Sequence, residues 1–139
     1  MTTWEALLVA ATGLHLGFQA TVTVLVYPAL ARAAEDDWHD THALHSRRIT
    51  PLVVVVYAAA LVACVGSAYT DPRSAGVWVA VLGTALAFVA TALAASPAHG
   101  RLGAGRDQVQ LNRLLRADRF RLAGAALALT GALTGALAA

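Results

Sequence analysis

Chemistry in this chain rests on a few histidines. His15 lies near the middle of the 26 uncharged residues between Glu5 and Arg32, and Gln19 follows one helical turn later. Thr12, Thr23 and Tyr27 extend the same polar stripe. His39, His42 and His45 recur every three residues, so a helix would fan them along one side, with adjacent pairs meeting best. His99 follows in a stretch with Pro97, Gly100 and Arg101. Neutral imidazole takes and returns protons near neutrality and ligates Zn, Cu and Fe. Two chemistries follow. In the first, His15 and Gln19 orient a substrate, His42 or His99 removes a phenolic or benzylic proton, and Arg48 or Arg101 holds the resulting anion. In the second, the chain is a non-enzymatic metal- or haem-binding or transport subunit, in which His42, His45 and His99 ligate a metal such as Cu or Fe, serve a haem or form an ion path. In the first, oxygen reacts with the carbanion directly or at a bound metal, and the identity of any cofactor, Cu or Fe or none, stays open. His15 and Gln19 also read as interhelical hydrogen-bonding groups, and the three spaced histidines as solvated residues near lipid headgroups.

Other motifs narrow the field. HExxH, a Glu-x-x-His pair on two helices and a cysteine cluster are all missing from the sequence, and Cys64 is its one cysteine, so it forms no internal disulfide. Asp36-Asp37-x-x-Asp40 matches the DDxxD pattern that binds Mg²⁺-diphosphate, which gives a third reading as prenyl transfer or cyclisation. No second acidic motif accompanies it, and a solvated acidic patch is the simpler account.

The elements that position these residues are read from composition. In 139 residues, 58% are hydrophobic and 13% charged, with a mean hydropathy of +0.63, too apolar for a soluble domain. Thirty-three alanines and ten arginines without a lysine point to a GC-rich bacterial genome. The net charge of +2 comes from loop arginines without interleaved aromatics, which excludes a nucleic-acid binder. Four spans are expected in one membrane domain, 1–139, at about 4–31, 49–70, 77–96 and 120–138. The expected fold class is all-α, an integral membrane antiparallel four-helix bundle. Thr50-Pro51 reads as the N-cap and first residue of span two, and Pro97 as the end of span three. Asp107 reads as the cap of an amphipathic start to span four, with Leu111, Leu114, Leu115 and Leu122 opposite Arg113, Arg116 and Arg119. Gly124, Ala128, Gly131 and Gly135 form a small-residue stripe that leaves room for a homo-oligomer. Nine of the ten arginines lie in the loops after spans one and three or at the start of span four. This puts those loops in the cytoplasm and both termini outside a bacterial cytoplasmic membrane, with His42 and His99 at the cytoplasmic end. The arginines at 101, 106, 113, 116, 119 and 121 are accounted for by topology and headgroups. The implied partners are the lipid bilayer and a small lipophilic substrate.

Several short motifs resemble a family. They are Gln19 with Tyr27-Pro28, His42 with Arg47-Arg48-Ile49, and Pro97-x-His99-x-Arg101-Leu102 with Gly105-x-Asp107. Together they resemble small bacterial four-helix membrane proteins related in layout to the anthrone-oxygenase-like group. The resemblance covers nearly the whole chain. It implies a membrane oxidoreductase, because some members of that group oxidise anthrones to anthraquinones. This chain has Leu111, Asp118 and Arg119 where a further His and an Asn-Trp pair are expected, and it lacks the Asn-rich turn after span three.

Overall fold

Three of the four helices open on a side chain that satisfies their backbone, while Asp37, before Trp38, makes no capping bond. Thr2 and Glu5 form a reciprocal capping box, in which the Thr2 hydroxyl accepts from Glu5 N–H at 3.2 Å and the Glu5 carboxylate from Thr2 N–H at 2.7 Å. Ser74 accepts from Val77 N–H at 3.3 Å, and Asp107 from Val109 N–H at 2.7 Å. In the computed structural model, which describes residues 1–138, four helices result: α1 (Thr3–Ala31), α2 (Trp38–Thr70), α3 (Ala75–Leu102) and α4 (Gln108–Ala138). Each is long and apolar enough to cross a membrane, and no strand occurs among the described residues.

Prolines are handled differently from the expectation. α3 does not stop at Pro97, because Thr91–Ala95 winds as one wide π-turn and the helix continues to Leu102. There Ser96 N–H bonds to Thr91 C=O five residues back. α1 repeats the device: Val22–Val26 is a wide turn, Tyr27 N–H bonds to Val22 C=O, and Pro28 follows. A proline ring clashes with the carbonyl four residues earlier, and a wider turn relieves that clash. Thr50 and Pro51 do not open span two either. Pro51 lies inside α2, and the Thr50 hydroxyl donates to Ser46 C=O at 2.7 Å instead of capping. The histidine segment is therefore the first part of a single 33-residue helix.

Small residues set how closely the helices approach. A Cβ built on Gly83 would lie 2.5 Å from Ala128 N, and one on Gly131 2.5 Å from Ala80 N. The α4 glycine stripe is thus occupied inside the chain, against α3. At the start of α1, the Trp4 ring covers Gly66, and the Ser67 hydroxyl donates to Trp4 C=O at 3.1 Å. At the other end, Trp38 Nε1 donates to Leu102 C=O at 2.9 Å and ties α2 to α3. Large apolar side chains cover the outside as well as the core, unlike a water-soluble bundle. Ala60, Ala80, Ala87 and Ala125 are buried alongside Thr12, His15, Gln19, Asp118 and Arg121, while Val24, Leu25, Val54, Val62, Leu82 and Leu93 face outward.

Candidate functional site

The inward face of α1 carries Thr12, His15 and Gln19, all fully buried. Gln19 Nε2 donates to Asp118 Oδ1 at 2.5 Å, and Asp118 lies 3.7 Å from the Arg121 guanidinium one turn along α4. Both charges are almost wholly buried, with side-chain exposures of 2% and 3%. A charge in such surroundings must be paired and hydrogen-bonded. Arg121 meets this need through two tyrosines as well as Asp118: Nε donates to Tyr57 Oη at 3.2 Å and Nη1 to Tyr27 Oη at 3.1 Å. The Thr91 hydroxyl donates to Ala87 C=O at 2.8 Å, so in its 2.7 Å bond with Tyr57 it accepts. Tyr57 therefore uses its proton on Thr91. Its ring is fixed by parallel stacking on Phe88, with centroids 4.4 Å apart.

His15 packs edge-on against Tyr57 with centroids 5.0 Å apart, and neither of its ring nitrogens has a hydrogen-bond partner among the described residues. His15 and Gln19, expected to orient a substrate, do not share a cavity wall with His42 and His99. A cavity of about 440 Å³ is lined by His42, His99, Tyr27 and Arg121 together with the hydroxyls of Ser46, Thr50, Thr91 and Ser96, while His15, packed on Tyr57, and Gln19, bonded to Asp118, lie off its wall. Ile49, Val53 and Val54 supply apolar wall.

The three imidazoles of the other cluster do come together. His42 Nε2 and His99 Nδ1 share a hydrogen bond of 2.8 Å, and Trp38 stacks on His42 with centroids 5.4 Å apart. His45 lies beside His99, with centroids 5.3 Å apart. His99 Nε2 and His45 Nε2 are buried and lack partners among the described residues. Because His42 and His99 direct nitrogens at each other, they do not converge on an outside point. Among the described residues no group of three metal-ligating side chains is arranged to hold an ion.

Arg48 and Arg101, expected to hold an anion, are exposed and absent from the cavity wall. Each sits on the outward side of its helix, where a guanidinium stays solvated. The arginine on the wall is Arg121, which the sequence reading assigned to topology. Its signal lay in spacing: Asp118 and Arg121 fall in register with Gly124, Ala125 and Ala128 on the inward face. Asp36, Asp37, His39 and Asp40 are exposed at the start of α2 and do not reach the cavity. No protein-family model, curated protein or solved structure matches the chain.

Proposed function

We propose that the protein is an integral membrane oxidoreductase, anthrone-oxygenase-like in its chemistry, acting on a small lipophilic aromatic substrate. Four antiparallel spans would cross the bacterial cytoplasmic membrane, with the arginine-rich loops inside and both termini outside. The outward Leu and Val side chains support insertion, since so much contiguous apolar surface is unfavourable in water. The observation that carries the catalytic reading is the hydrogen-bonded His42–His99 pair in the wall of a cavity of ligand size. In this reading the His42–His99 pair accepts a proton from a phenolic or benzylic position. His42 fixes the His99 ring through the 2.8 Å bond, and Trp38 holds His42 by stacking. Dioxygen then oxidises the carbanion; for a methylene converted to a carbonyl, one O₂ yields the ketone and one water.

The test is anthrone oxidation by protein in lipid nanodiscs under oxygen, followed as anthraquinone formed. His99→Gln should lower the rate by roughly 10²-fold or more. A rate in the wild type no higher than in empty nanodiscs would remove the enzymatic reading. A second reading, a non-enzymatic metal- or haem-binding or transport subunit, is favoured by the buried polar column His15, Gln19, Asp118 and Arg121 inside otherwise apolar helices. Stoichiometric metal or haem in protein that leaves anthrone unchanged would establish that reading instead.

A further inference from the structure

Of the polar groups on the cavity wall, Arg121 and Tyr27 are both buried, adjoin each other and keep donors unused. Arg121 has five N–H bonds. Nε is engaged by Tyr57, and Nη1 by Tyr27 with Asp118 beside it, whereas Nη2 makes no hydrogen bond among the described residues. Tyr27 Oη accepts from Arg121, and no acceptor takes its own proton among the described residues. Both side chains line the cavity and both are buried, Arg121 at 3% and Tyr27 at 6% exposure. Two donors therefore stand side by side in an apolar chamber, on a guanidinium that Asp118 approaches only to 3.7 Å.

We propose that Arg121 and Tyr27 form a receptor for one oxygen atom of an aromatic ligand, an aryl carbonyl or phenolate oxygen. The proposal rests on reading the cavity as a ligand site and specifies which ligands it takes. A carboxylate or phosphate is best held by two parallel N–H groups of the guanidinium fork. Here Nε is committed to Tyr57 and one Nη1 hydrogen to Tyr27, which leaves Nη2 as the nitrogen without a partner among the described residues. A single acceptor can take one Nη2 hydrogen and the Tyr27 hydroxyl without displacing either bond. The positive end of the site favours an oxygen that carries or gains negative charge. The surrounding Val53, Val54 and Ile49 suit a ring rather than a polar chain.

Three probes of similar size separate the alternatives: 4-nitrophenol, 4-nitroanisole and 4-nitrobenzoate, each titrated into protein in nanodiscs against empty nanodiscs. At a pH where free 4-nitrophenol is half ionised, binding should increase the phenolate absorption band. Tyr27→Phe, which keeps the ring, should weaken nitrophenolate binding about tenfold, the size expected for one charge-assisted hydrogen bond. The same change should leave 4-nitroanisole affinity as it was. The wild type should prefer nitrophenolate to 4-nitrobenzoate. Binding of 4-nitroanisole without preference for nitrophenolate would overturn the receptor while leaving the cavity a ligand site, a result that needs no variant. Equal affinity for 4-nitrobenzoate, or unaltered nitrophenolate binding by folded Tyr27→Phe, would also overturn it. No binding of any probe would remove the ligand-site reading and the receptor together.

Discussion

Arg121 and Asp118 show how a single buried pair constrains its surroundings. Replacing Arg121 with Met leaves the Asp118 charge buried with Gln19 still donating to it but no countercharge, and takes a donor from both tyrosine hydroxyls, so stability should fall by roughly 3–5 kcal/mol. Adding Asp118→Asn should recover part of that loss, measured as the unfolding temperature in mild detergent. Strictly additive losses would show that the two charges do not interact. Arg48→Lys and Arg101→Lys, both at exposed positions, should leave anthrone oxidation and stability nearly unchanged. The stripe of His15, Gln19 and Tyr27 was legible from four-residue spacing within an uncharged run. The role of Arg121 was not, because an arginine close to a basic amphipathic segment looks like its neighbours. Only the α4 face turned toward Tyr27 and Tyr57 separates Arg121 from Arg119 and Arg116.

Helix by helix, the contact between α3 and α4 is the least forgiving. Gly83→Ala would drive its Cβ into the α4 backbone at Ala128, which should destabilise by about 1–3 kcal/mol. Gly17→Ala meets nothing within 4 Å and removes a flexible residue from a helix, so it should be neutral or stabilising. Thermal unfolding of the two variants in one detergent makes the comparison, and equal losses would contradict the packing described. Element existence was legible because charge-free runs are long and caps such as Asp107 are local signals. The course of α2 and α3 through Pro51 and Pro97 was not. Whether a helix stops at proline or absorbs it depends on neighbouring contacts, here the Trp38–Leu102 hydrogen bond that holds both helix ends.

The whole molecule presents many large apolar side chains outward and encloses a few polar ones, and this arrangement supports the proposed membrane topology. The arginine distribution sets its direction. A membrane-impermeant label should reach cysteines introduced at positions 1 or 139 in intact cells, and should reach one at 106 only after permeabilisation. The reverse pattern would place the His42–His99 end of the bundle on the outer face. The four-helix architecture was legible from composition and hydropathy alone, because bilayer thickness fixes helix length independently of packing. The cavity was not, since it depends on which faces of α1, α2, α3 and α4 meet.

The wide turns at Val22–Val26 and Thr91–Ala95 make α1 and α3 tolerant of a lesion that usually ruins a helix, the loss of one residue. Each turn carries one residue more than a regular helix of the same reach, so a deletion there lets the helix close up with both flanks keeping their phase. Val24 lies outward within the first of these turns. Removing it together with Pro28→Ala, which lifts the proline clash, should leave Tyr27 directed at the cavity and the protein folded. Removing Leu14, equally outward but in a regular stretch, should turn Leu8, Ala11 and Thr12 about 100° out of the core. Insertions and deletions among natural variants of this chain should therefore collect at residues 22–26 and 91–95.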